Sequence, residues 1–136
     1  MSPVWCETSG RFTTVNFAYV EDGVIVYPDI IKLNICRGEG VVFGMEATNY
    51  YLNHTDREIL KPTLSKLQAK QAVNVQMDVE SVRLALIPKG NDREVLTYEV
   101  AGEVDGQKYF VYINATSGAE EQIFKVVETN EGNLLI

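Results

Sequence analysis

One histidine, two cysteines and a scatter of carboxylates are the residues of this chain that could do chemistry. His54 stands beside Asp56 and Arg57, and any Ser–His or Cys–His nucleophilic site would have to use it. A lone histidine without a nucleophile pattern reads equally as a hydrogen-bonded loop residue. Cys6 and Cys36 form no CxxC pair, and two cysteines leave open both one disulfide and two free thiols. A zinc ion wants three or four closely spaced ligands, whereas Cys6, Cys36 and His54 lie far apart in sequence. Glu120 and Glu121 are adjacent, so on a strand they point to opposite faces and cannot act as a carboxylate pair. Asp78 and Glu80 would share a face and read as a solvated edge. GxGxxG, Walker and GxSxG patterns do not occur. These readings assign no catalytic, cofactor-binding or metal-ligating residue.

Aromatic residues are the other feature. Tyr50 and Tyr51 are adjacent, and Phe110 and Tyr112 alternate against Tyr109 and Val111. Either the sheet holding them is covered on both sides, or Phe110 and Tyr112 form an exposed strip of the kind found at interface cores. The pair is the candidate partner-binding surface.

The elements that must position these residues repeat. Val15–Ile35 set against Val82–Gly102 keeps the in/out phase of the strands under a shift of 67. One extra residue, expected in the next turn, moves the shift to 68, so that Val41–Ala47 falls on Tyr109–Ala115. A one-residue slip within a strand would instead turn its apolar residues to the wrong face. Strands are expected at Val15–Val20, Val24–Cys36, Val41–Thr48, Val82–Ile87, Val95–Val104 and Tyr109–Ala115. Pro28 marks an edge or a bulge. Turns fall at Glu21-Asp22-Gly23, Arg37–Gly40, Asp105-Gly106 and Thr116-Ser117-Gly118, with Gly118 at positive φ. A helical turn is expected near Asp56–Leu60. Ser65 and Gln68 form a capping box before a helix whose Leu67, Val73 and alanines pack on the second meander. Glu121–Val127 is a strand or a short helix, and Leu134–Ile136 is an apolar tail suited to tucking onto the body. The fold expected is α+β: antiparallel meanders with a helix on the sheet, as one partial repeat over 12–53 and one complete repeat over 54–136. A first copy that opens partway suggests an excised part of a longer protein.

Net charge is −7 with a pI near 4.7. Without clustered Lys and Arg the chain is not expected to bind nucleic acid or anionic membrane surfaces. No apolar run is long enough to span a bilayer as a helix.

A helix, three meandering strands and the ending Asn114-Ala115-Thr116-Ser117-Gly118 resemble a PepSY domain. Tyr27–Lys32, Gly44–Ala47 with Tyr50 and His54–Arg57, Arg83–Pro88 and Tyr98–Val100 look like the C-terminal region of the YpeB family of spore germination proteins. The resemblance covers roughly residues 17–134. It implies a PepSY/cystatin-like fold and a non-enzymatic module that stabilises, localises or restrains a cortex-lytic enzyme of the SleB type. It implies a place outside the inner spore membrane, held by an N-terminal anchor absent from these residues. Two other classes remain open from the residues themselves. A cryptic cell-wall hydrolase would need two carboxyls across a cleft, and a small-ligand carrier would need a closed apolar pocket.

Overall fold

Period-two alternation becomes strand throughout. The computed structural model describes residues 1–57, 61–73, 76–90, 93–129 and 132–135. These divide into two compact units, Met1–Asp56 with Glu128–Leu134, and Arg57–Val127 with Leu135–Ile136. The α+β expectation holds, with strand dominating and the helices short.

In the first unit β1 (Ser2–Ser9), β2 (Phe12–Glu21), β3 (Val24–Cys36) and β4 (Val41–Glu46) form an antiparallel meander. The sequence reading did not include β1. Asp22 and Gly23 take φ of 50° and 78°, the left-handed pair that a tight two-residue hairpin needs. Between Ala18 and Tyr19 of β2 the partner jumps from Ile30 to Val26, so Tyr27-Pro28-Asp29 bulges out of the ladder. Proline has no N–H for the ladder, and the irregularity falls where Pro28 is expected to cause one. The helical turn lies at α1 (Thr48–Asn53), upstream of the Asp56–Leu60 position expected, part of which falls outside the described residues. Late in the chain β9 (Gly132–Leu135) meets β1 through Gly132 and Glu7. The backbone of the expected tail therefore extends as strand, with Ile136 outside the described residues.

The second unit holds α2 (Lys66–Gln71) and the antiparallel strands β5 (Asp78–Pro88), β6 (Glu94–Val104), β7 (Gln107–Asn114) and β8 (Glu120–Thr129). Glu121–Val127 is thus strand rather than helix. Ser65 Oγ accepts from Gln68 N at 3.2 Å and Ser65 N donates to Gln68 Oε1 at 2.8 Å, closing the capping box. Ala69 is fully buried against Tyr98, Val100, Val111, Ile113 and Ala115, with Ala72, Val73 and Leu64 at the margin. Leu67 corrects the expectation: it is exposed. It lies two residues from Ala69, about 200° around the helix and so on the wet face.

The repeat is real in the ladders; the expected pairing of β2 with β5 holds at its start, and that of Val41–Ala47 with Tyr109–Ala115 does not. Val15 opposes Leu33 as Val82 opposes Val100, and Phe17 opposes Ile31 as Leu84 opposes Tyr98. Cys36 opposes Val41 as Glu103 opposes Lys108, so the shift stays at 67 through the turn. The irregularity lies within β4, where Phe43 is passed over between Val42 and Gly44. Beyond it Met45 occupies the position of Val111, a shift of 66 rather than the expected 68. A bulge absorbs an extra residue inside a strand without inverting its faces.

Removing the cap tests α2. Ser65→Ala should lower unfolding free energy by about 1 kcal/mol, read as a lower urea midpoint at unchanged slope.

Candidate interaction surfaces and polar sites

The histidine is held by the bulge. Displacing Tyr27-Pro28-Asp29 from the ladder brings Asp29 to His54, whose Nδ1 lies 2.6 Å from Asp29 Oδ2. Asn53 Nδ2 donates to Pro28 O at 3.1 Å, fixing the end of α1 to the same bulge. Asp29 is fully buried. A carboxylate can only accept, so Nδ1 carries the proton when Asp29 is ionised. The ring stacks on Tyr50 at 4.5 Å and meets the edge of Tyr19 at 4.8 Å. A carboxylate-oriented imidazole is one half of a nucleophilic triad. Here aromatic rings flank it, and no described hydroxyl or thiol is hydrogen-bonded to it.

Cys6 and Cys36 are free. Cys6 opposes Val15, whereas Cys36 opposes Phe12, three residues earlier in β2 and on its other face. No cluster of three or more His, Cys, Asp or Glu suited to a metal ion occurs among the described residues.

Phe110 and Tyr112 lie on the side of β7 away from α2. Tyr112 is 5% exposed, its ring edge-on to Phe124 at 6.0 Å. Its hydroxyl donates to Glu99 Oε2 at 2.8 Å, while Arg83 Nε donates to Glu99 Oε1 at 2.6 Å. Phe110 is half-buried. The pair is therefore not an exposed strip. Tyr112 is a structural residue completing the polar shell of a buried carboxylate.

The ending that carries the PepSY resemblance is a hydrogen-bonded knot. Asn114 Oδ1 accepts from Thr116 N and Ser117 N at 2.8 and 3.0 Å, and Gly118 N donates to Asn114 O at 2.9 Å. Gly118 has φ of 79°, as expected, and a Cβ there would press Leu64 Cδ1 at 3.3 Å. Ala115 O accepts from both Thr63 N and Leu64 N, and Tyr98 Oη donates to Leu64 O at 2.6 Å. Burial pushes the Tyr98 phenol above its ordinary range, which keeps it a donor. Asn114 Nδ2 donates to Glu121 Oε1 at 2.9 Å, and Lys89 Nζ lies 2.6 Å from Glu121 Oε2. These two contacts, Lys89 first, hold the Glu121 carboxyl below the usual range.

Exposed apolar side chains concentrate elsewhere, in the first unit. Phe12, Val41, Val42, Phe43 and Met45 are each more than half exposed, and Tyr51 and Leu52 more so. β4 is bonded to β3 alone among the described strands. Phe12 and Phe43 touch at 5.0 Å. Sequence reading missed this surface, since exposure of an apolar strand cannot be told from burial by alternation.

Comparison with known proteins identifies this assembly. Residues 1–60 match the family model described as YpeB sporulation, PepSY1 and PepSY2 domains, and residues 63–122 match PepSY, the peptidase propeptide and YPEB domain. The chain belongs to the PepSY family, in the form found in YpeB. "Sporulation protein YpeB" of Halalkalibacterium halodurans is 40% identical over 112 residues, 82% of this chain, and that of Bacillus subtilis is 36% identical over 112 residues, 81% of it. Each match covers 25% of the relative, so the chain spans about a quarter of their length. The structure "Bacillus megaterium YpeB C-terminal domain" matches with a TM-score of 0.82 at 34% identity, covering 91% of this chain and 55% of that one. These relatives are named as sporulation proteins. The family names carry no catalytic activity. No helix of the described residues is long and apolar enough to cross a membrane.

Two outcomes follow. Tyr112→Ala should cost about 3–5 kcal/mol of stability as a large-to-small core change, and Tyr112→Phe about 1.5–3 kcal/mol through the lost bond to a charged group, both read by urea unfolding. Because the folded Glu121 carboxyl titrates lower than in the unfolded chain, its stabilisation is present above about pH 4.3 and is lost as pH falls through the folded value. Glu121→Gln should therefore flatten that part of the acid limb when urea midpoints are compared from neutral to acid pH.

Proposed function

We propose that the chain is a non-enzymatic interaction module of a spore germination protein, which stabilises, localises or restrains a cortex-lytic enzyme of the SleB type. The observation that carries this reading is β4. Its outer edge and exposed Val41 and Phe43 have the character of a surface meant to be covered. A hydrolase would need a reacting pair, and the oriented imidazole of His54 has aromatic neighbours instead of a nucleophile. Phe110, half-buried, is a secondary contact at most. By family likeness the whole protein would sit outside the inner spore membrane on an N-terminal anchor, with this chain on the aqueous side.

A binding assay with the purified chain and its cognate cortex-lytic enzyme tests the proposal. Association should occur and should weaken at least tenfold with Val41→Asp plus Phe43→Asp, both exposed and so tolerated by the fold. No association, or association indifferent to both changes, would sink it. So would turnover of cortex fragments that survives purification and disappears in His54→Phe.

A further inference from the structure

Two hairpin turns of the first unit are tied to each other. Gly40 N donates to Cys36 O at 2.7 Å and closes the turn between β3 and β4. Arg37 N donates to Arg11 O at 2.7 Å, which bonds that turn to the one between β1 and β2. The side chains cross as well. Arg37 Nη1 donates to Gly10 O at 3.3 Å, and Arg11 Nη2 lies 3.8 Å from where a Cβ on Gly38 would stand. Each guanidinium thus lies against the other hairpin's turn. Both arginines are exposed. Neither forms an ion pair among the described residues, although Glu39 stands in the same turn, whereas Arg57 and Arg83 are matched to Glu94 and Glu99. Like charges gathered in one place repel, and a bound anion relieves that repulsion. The strand ends beside them are apolar. Phe12 follows Arg11 and opposes Cys36, which opposes Val41, and the ring of Phe43 touches that of Phe12 at 5.0 Å. Phe12, Val41 and Phe43 are each more than half exposed.

We propose that this double turn docks an acidic segment of a partner protein, with carboxylates on Arg11 and Arg37 and an adjoining apolar side chain on Phe12, Val41 and Phe43. A guanidinium fork matches a carboxylate two bonds at a time, and arginine beside aromatic rings is the composition of interface centres. The rest of the chain sharpens the choice. At a net charge of −7 most of the surface repels an acidic segment, which is drawn to the place where basic groups are uncompensated. A lipid surface fits less well, because Arg11, Arg37 and Glu39 occupy the turns themselves and the apolar side chains lie behind them on the strands. The inference rests on the reading of β4 as a surface meant to be covered, and adds the chemistry of what covers it.

Fluorescence anisotropy with three labelled synthetic peptides tests it. One carries a phenylalanine flanked on both sides by glutamates, one has lysine in place of glutamate, and one has alanine in place of phenylalanine. The first should bind roughly tenfold more tightly than either of the others. Arg11→Gln plus Arg37→Gln, shown folded by an unchanged circular dichroism spectrum, should remove that advantage. Equal binding of the lysine peptide, an advantage unchanged in the arginine variant, or no binding by any peptide would overturn the proposal. Cosedimentation with phosphatidylglycerol vesicles that is lost in the arginine variant would overturn it in favour of a lipid surface. A cortex-lytic enzyme that binds through Val41 and Phe43 but is indifferent to the arginine variant would overturn the acidic occupant alone. Selective binding of the acidic peptide without any association with the enzyme would support the acidic occupant and sink the enzyme reading instead.

Discussion

A strand buried on both faces must find partners inside the protein for every polar group it carries, and β6 carries Thr97 and Glu99 at its centre. Residues 97–102 are buried without interruption. Thr97 settles its hydroxyl on Ala85 O at 2.8 Å. Glu99 is harder, because a buried carboxylate is costly unless charged or hydrogen-bonding groups surround it. Arg83 from β5 and Tyr112 from β7 reach it from the strands on either side. The register of the second unit is thereby fixed twice, by apolar phase on the α2 side and by this triad on the other. A slip of one residue would put Tyr98 toward Arg83 and Glu99 toward Ala69.

The knot at Asn114 does comparable work at the end of the meander. Its side chain closes the turn, and the carbonyl beside it receives the backbone entering α2. A residue with an acceptor at that place and a glycine four positions on are therefore linked by geometry. The glycine is needed for its φ and because Leu64 leaves little room for a side chain. The short ending is here the fastening between the helix and the sheet of the second unit.

Much of this was legible in the residues. Strand phase, the two Asp-Gly turns, the capping box and the positive φ of Gly118 depend on local chemistry, which one sequence states directly. The bulge at Pro28 was legible as a place but not as a device, because Asp29 and His54 are joined across 25 residues. Tyr112 was ambiguous for a similar reason: alternation gives the face of a strand and not what lies over it. An extra residue was expected in the turn of the second repeat, where insertions are usually cheapest; the ladders instead put one in the first repeat, within β4. Leu67 shows that an apolar residue in a short helix need not belong to its stripe.

That bulge at Phe43 also bears on how the protein keeps itself from fibres. Among the described strands β4 is apolar and pairs on one side only, the kind of edge on which a stranger's strand could add in register and start a stack. A ladder that skips a residue offers an incoming strand two short runs of groups rather than one long one, and it twists the rim away from flatness. Strand addition is thus discouraged while the side chains above and below the edge remain available. An edge so interrupted can keep apolar side chains exposed without offering a continuous template for a second strand.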